Sequence, residues 1–130
     1  MLETFEKQTV FPMTTEKTGE AVVDASGANV AIVSDLPTGH ASRLDIILRQ
    51  TATGAGNGVQ AVTLRTWTSG KRFSHSVQIH AAFTAATNAI TIAVPYNAAS
   101  SEYSIGNSVD ILVTNGTQSN TVTAYVIARA

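Results

Sequence analysis

The sequence predicts an all-β chain, an antiparallel β-sandwich of jelly-roll-like kind, with about eight or nine short strands and an extended N-terminal arm. Three observations predict it. Apolar and polar residues alternate with period two along most of the 130 residues, the signature of strands with one buried face. Clusters of Gly, Asn, Ser and Pro interrupt the alternation at intervals of roughly 8–12 residues. No apolar pattern of helical period is sustained: Ala81 to Ala89 is the one candidate, and Thr84, Thr87 and Asn88 weaken it.

Residues 1–18, MLETFEKQTVFPMTTEKT, stand apart from the rest, which forms the sandwich domain at 19–130. They hold Glu3, Glu6, Lys7, Glu16 and Lys17 among scattered large apolar groups, Leu2, Phe5, Phe11 and Met13. Pro12 cannot donate to a central ladder, so this piece is an arm or an edge strand. Its apolar groups are too few and too irregular to make a core. Leu2, Phe5, Phe11 and Met13 are therefore expected to bind a partner.

The strands follow in order. Glu20–Val23 and Asn29–Val33 flank the turn Ala25–Asn29. In Arg43–Gln50, Leu44, Ile46 and Leu48 share a face, while Asp45, Ile47 and Arg49 share the other. Gly54-Ala55-Gly56-Asn57-Gly58 supplies positive-φ residues for a longer loop. Gln60–Thr68 and Arg72–Phe83 are joined by a tight hairpin at Thr68-Ser69-Gly70-Lys71. Ala89–Val94 alternates Ile90, Ile92 and Val94 against Ala89, Thr91 and Ala93. Pro95–Asn107 is irregular, with Tyr96 and Tyr103 as anchors, and Ser108–Thr114 turns at Asn115-Gly116 into Thr121–Arg129. The expected core is Phe73, Val77, Ile79 and Phe83 with Leu44, Ile46, Leu48, Val62, Leu64, Ile90, Ile92, Ile111 and Val126. The last strand is unusual on both faces. Val122, Ala124, Val126 and Ala128 point inward, leaving Tyr125, Ile127 and Arg129 outside, where an aromatic and a branched aliphatic would form a sticky patch. These three are expected at a subunit interface.

Composition excludes more than it assigns. Charged residues are 13% of the chain and the net charge is −1, against about 25% charged in ordinary domains. Thr, Ser, Asn, Gln and Ala take their place, a neutral surface that favours association and costs little entropy to immobilise. Nucleic acid and anionic membranes select for a basic excess that is absent here, so neither is an expected partner. No apolar run approaches the ~20 residues of a membrane helix. Glu3 and Glu6 stand where a secretory signal carries positive charge, so synthesis in a host cytoplasm without a signal peptide is expected. Without cysteine, there is no disulfide, thiolate zinc site or cysteine nucleophile.

The remaining chemistry is sparse. His75 and His80 fall on opposite faces of one strand and cannot share a metal. His75 reads as interior, His80 as solvated and His40 as a loop residue, so no zinc pattern forms. No Gly-x-Ser-x-Gly elbow is present. Asp24, Asp35, Asp45, Glu102 and Asp110 occur one per segment, which is poor material for a glycosidase pair. For Asp45 and Asp110, a cross-strand Arg43, Arg49 or Arg65 is the simpler partner. The Gly54–Gly58 loop lacks the Lys-Ser/Thr ending of a phosphate loop, and Asp35-Leu36-Pro37-Thr38-Gly39 offers a single carboxylate, short of a calcium loop. No enzyme activity and no cofactor are expected. Trp67, Tyr96, Tyr103 and Tyr125 admit one alternative, a sugar-stacking platform on a carbohydrate-binding module.

In kind, the whole chain resembles the small decoration, or cement, proteins of tailed-bacteriophage heads. The resemblance lies in the irregular arm MLETFEKQTVFPMTTEKTGEAVV, the cysteine-free Thr/Ala/Asn-rich sandwich and the closing strand NTVTAYVIARA. Head fibres and tail proteins share this style, and no residue motif transfers. The resemblance implies a virion structural protein at the capsid surface. It further implies a homotrimer at quasi-threefold positions, clamping the major capsid protein or another virion protein.

Overall fold

The computed structural model describes residues 14–23, 28–51, 58–83, 88–94 and 105–130. Its strands are β1 (Thr14–Val23), β2 (Val30–Pro37), β3 (Arg43–Gln50), β4 (Val59–Trp67), β5 (Ser74–His80), β6 (Ala89–Val94), β7 (Ser108–Asn115) and β8 (Asn120–Arg129). They form two four-stranded sheets, A in the order β1-β8-β3-β6 and B in the order β2-β7-β4-β5. Every pairing is antiparallel. The ladders β1–β8, β2–β7, β3–β6 and β4–β5 are nested, one inside the next, as if a single long hairpin had been folded across itself. The pairs β3–β8 and β4–β7 then join its turns into sheets. The architecture is the antiparallel β-sandwich that the alternation predicts.

Packing follows from the alternation. Leu44, Ile46 and Leu48 of β3 and Val122, Ala124, Val126 and Ala128 of β8 face Val62 and Leu64 of β4 and Val109, Ile111 and Val113 of β7. All of them have zero exposure, and each Leu, Ile or Val so placed stabilises the fold by roughly 1.5–3 kcal/mol relative to exposure. The β4–β5 hairpin closes through Thr68, whose carbonyl accepts from Lys71 N–H at 2.9 Å and whose N–H donates to Phe73 O at 3.0 Å. Gly70 takes φ 69° there, a conformation open to glycine at no steric cost.

Several expectations change. Phe73 is 70% exposed rather than core, and His75 is exposed rather than interior. Both lie on the inward-pointing side of the β5 segment. However, β5 is an edge strand and its first half runs past the cover of sheet A. Period two identifies a face but not what lies opposite it. Val77, Ile79 and Ile90 are half-buried for the same reason, whereas Phe83 is buried and stacks edge-on against His80, ring centroids 5.6 Å apart. His80 is accordingly half-buried, not solvated. Finally, β1 begins at Thr14, and Thr14–Thr18 pair with Arg129–Tyr125 as the first half of an edge strand. The inward positions Thr15, Lys17 and Gly19 carry no large apolar group, so hydrophobic alternation gives no sign of this half.

One end of the sandwich is sealed by buried amides. Gln50 Oε1 accepts from Val59 N–H at 2.8 Å and from Asn120 Nδ2 at 3.2 Å. Asn120 Oδ1 accepts from Thr51 N–H and Thr51 Oγ1, both at 2.9 Å, and Asn120 Nδ2 reaches Asn115 Oδ1 at 3.4 Å. Asn115 Nδ2 donates to Val23 O. Such a network is tolerated in a core only when every member is satisfied, and no buried side-chain polar atom among the described residues lacks a partner.

Candidate assembly surface

The outer face of sheet A is built in cross-strand rows. Glu16, Ile127, Asp45 and Ala93 make one; Thr18, Tyr125, Ile47 and Thr91 make the next. β8 is central in the sheet, so Tyr125 and Ile127 are half-buried between neighbours, while Ile47 is 40% exposed. Together they form an apolar strip across the middle of the face. Its polar frame is internally paired. Tyr125 OH donates to Glu16 Oε2 at 2.6 Å and Thr123 Oγ1 to Glu20 Oε2 at 2.9 Å. Accepting that hydrogen bond, the Glu16 carboxylate raises the Tyr125 pKa above its usual value. Arg129 Nε and Arg43 Nη2 converge on Asp45 Oδ2 at 2.7 and 3.0 Å. The Arg129 hydrogen bond leads in holding the Asp45 carboxyl below the ordinary range, with Arg43 adding to it against a smaller desolvation cost. With Glu16, Glu20 and Asp45 set against Arg43, Arg49 and Arg129 on this face, its formal charges balance, and the hydrogen bonds fix the frame in place.

Tyr125, Ile127 and Arg129 thus share one surface, as their alternation implies. Ile47 belongs with them and was missed because it sits on a different strand; only the β3–β8 register brings it beside Tyr125. Leu2, Phe5, Phe11 and Met13 lie outside the described residues, as do Asp24, Tyr96, Glu102, Tyr103 and the loop up to Asn57.

The outer face of sheet B holds a second cluster around Asp110, whose side chain is 3% exposed. Its Oδ2 accepts from Arg65 Nε at 2.9 Å and Trp67 Nε1 at 2.8 Å, and its Oδ1 from Asp35 N–H at 2.9 Å. Burial alone would raise the Asp110 pKa. The hydrogen bonds of Trp67, Asp35 and Arg65, with the Arg65 charge, outweigh it and leave the carboxyl below its usual value. Arg65 and Lys71 lie over the Trp67 ring, 5.3 and 5.6 Å from its centroid, and Lys71 also pairs with Asp35. The cluster ties β4, β7, the hairpin turn and the β2 bulge at Asp35, where φ is +59°. Asp110 therefore has the cross-strand Arg65 expected of it, whereas Asp45 is held chiefly by Arg129, which the alternation did not single out, and by Arg43 from two places along its own strand. Trp67 has its N–H and ring engaged, and it lies on the opposite sheet from Tyr125, so the two do not form one stacking platform. His40 Nε2 lies 3.2 Å from Thr15 Oγ1. Among the described residues no group of three His, Asp or Glu side chains is placed to hold a metal, and no helix is long and apolar enough to cross a membrane.

No family model and no curated protein matches the chain. Solved structures do. A chain in the structure of the infectious bursal disease virus Gx strain aligns at 11% identity over 91% of this chain, with a TM-score of 0.55. The PRD1 vertex protein P5 aligns at 14% identity over 91% of this chain and 95% of its own, with a TM-score of 0.42. A chain from Bacillus endospore appendages aligns at 14% identity over 92% of this chain and 90% of its own, with a TM-score of 0.38. The protein spans about a third, 32%, of the bursal disease virus chain. At 11% identity that likeness is one of fold, and the two weaker alignments add nothing to it.

Proposed function

We propose that this protein is a non-enzymatic structural component of a virion, a decoration or cement protein that stabilises a phage capsid by packing against copies of itself and the shell. The observation that carries the reading is the outer face of sheet A, where Tyr125, Ile127 and Ile47 form an apolar strip inside a hydrogen-bonded frame whose positive and negative charges are equal in number. Tyr and Arg are enriched at interface centres, and a rim of balanced charge carries no net repulsion toward a copy. Nested strand pairing of the jelly-roll kind, which virus capsid domains use, and the fold likeness to a virus chain support the same reading. Tyr125, Ile127 and Arg129 meet their copies around a threefold axis. Leu2, Phe5, Phe11 and Met13 of the arm dock on a neighbouring subunit or on the major capsid protein.

Light scattering of the purified chain is expected to give three copies or a multiple of three, and the protein is expected to sediment with virions. Ile127→Asp should remove the threefold contact while preserving cooperative melting. Deletion of residues 2–13 should keep the sandwich folded and abolish binding to particles. A wild-type chain that stays monomeric and does not sediment with virions overturns the proposal.

A further inference from the structure

The two sheets leave four strand edges, and three of them are blunted. β1 and β2 close on each other along one flank: a Cβ on Gly19 would lie 1.8 Å from Ile32 O, and Lys17 Nζ donates to Ser34 O. β2 is broken by two register shifts and ends on Pro37. β5 carries a register shift against β4, and Lys71 and Arg72 stand just before it, one residue from its start. Among the described residues β6 has none of these protections. Ala89-Ile90-Thr91-Ile92-Ala93-Val94 contains no charge and no proline, and it pairs with β3 in unbroken register. Among the described residues no strand pairs with its other side. A flat, uncharged edge is a template for strand addition, which natural sheets normally guard against.

The hydrogen-bond phase specifies what such an addition looks like. Gln50 N–H donates to Asn88 O and Thr51 N–H to Thr121 O, so even residues of β3 bond toward β6 and odd ones toward β8. In an antiparallel ladder bonded and non-bonded pairs alternate. Ile90, Ile92 and Val94 therefore spend their backbone groups on β3, while Ala89, Thr91 and Ala93 direct theirs outward. We propose that this edge pairs antiparallel with β6 of a second copy about a two-fold axis, Thr91 opposite Thr91, making one eight-stranded sheet from two sheets of four. In that register Ala89 faces Ala93 of the second copy and the reverse, about six backbone hydrogen bonds in all. Ile90 stands opposite Ile92 on the inner face. Moving the axis to Ile92 would leave Ala89 with no opposite residue inside the strand, which ends at Val94, and would waste bonds. The occupant is a second copy because the register is self-complementary: with Thr91 on the axis, every outward N–H and C=O of Ala89, Thr91 and Ala93 meets its counterpart in the identical strand. Its outward side chains are only Ala, Thr and Ala, small enough for two identical strands to reach sheet spacing of about 4.8 Å. The inference stands on the edge chemistry and does not depend on the virion reading.

The protein has no cysteine, so Thr91→Cys introduces a single thiol. A bonded pair has Cα atoms about 5.5 Å apart, within disulfide reach. Mild oxidation of T91C is expected to yield a covalent dimer under conditions in which T114C, on the other sheet, yields little. Thr91→Pro removes an outward N–H and fixes φ near about −65°, a change that an edge strand tolerates where the N–H faces away from its neighbour. It should melt like wild type, halve the mass of the assembly and leave a threefold contact intact, whereas Ile127→Asp should leave the two-fold dimer. Absence of cross-linking in T91C above the T114C level overturns the inference, as does a folded T91P, or a folded Thr91→Lys, with unchanged mass. A trimer in both wild type and T91P removes the β6 contact and keeps the proposed function. A dimer in wild type that becomes monomeric in T91P does the reverse.

Discussion

Removing the Asp110 carboxylate tests whether the outer face of sheet B is held by one buried charge. Asp110→Ala strips the acceptor from Trp67 Nε1, the Asp35 N–H and Arg65, all now within 2.9 Å of it. The Arg65 side chain is 34% exposed, so water recovers part of its loss. Trp67 is half-buried and Asp35 is an exposed residue, so leaving each of these donors unpaired costs toward the low end of the roughly 1–3 kcal/mol range, about 1–2 kcal/mol. A total of roughly 3–5 kcal/mol is expected, in the range for breaking a buried charge pair. At about 3–5 °C per kcal/mol for a domain of this size, the melting temperature should fall by about 10–20 °C at pH 7. The pH dependence has a definite sign. The folded-state pKa lies below the ordinary value of 3.8, so the unfolded chain takes up the proton first. The stabilisation is therefore complete above about pH 4–5 and is lost as pH falls through the folded pKa. The gap between wild type and Asp110→Asn should be constant from pH 7 to about 5 and shrink below about 4. Asp45, depressed in the same direction, leaves a residual acid slope in the variant. Calorimetry across that range decides it: a loss under about 1 kcal/mol for D110A, or a gap that does not shrink at pH 2–3, refutes the account.

Gly19→Ala forces a Cβ to 1.8 Å from Ile32 O, and relieving that contact must part β1 from β2; urea titration should show a loss of about 2–4 kcal/mol. Leu64→Ala, at zero exposure, should cost about 2–5 kcal/mol, whereas half-buried Ile79→Ala should cost under about 2; equal midpoints in urea would mean that β5 is covered after all. Asn120→Ala removes four hydrogen bonds at the sealed end, and should lower stability by roughly 2–4 kcal/mol while speeding amide exchange at Thr51.

The strands and their inner faces were readable because burial on a pleated sheet imposes period two: β3 and β6 begin and end where the alternation does, and Val122 to Ala128 were recognisable as core. Phe73 and His75 were not, since exposure at an edge depends on how far the opposite sheet extends. The Gln50, Asn115 and Asn120 network was equally hidden. Amides at strand ends read as turn residues until the register stacks three of them together. Positive φ at Asp35 gave no signal either, because a bulge is set by pairing across β7. For the assembly face, Tyr125 and Ile127 stood out on one strand as a misplaced apolar pair. Ile47 required knowledge of which strand lies alongside.

The central position of β8 has a consequence for biogenesis. Two of the three ladders of sheet A run through Asn120–Arg129, and Thr14 finds its partner more than a hundred residues downstream. While the chain is being translated, β1 and β3 must wait without the strand that separates them, and closing so large a loop is entropically slow. During that interval the uncharged β6 segment is exposed to other nascent copies at the high local concentration of a polysome. Expression yield should therefore depend on translation speed and chaperone supply more steeply than the stability of the finished sandwich would suggest.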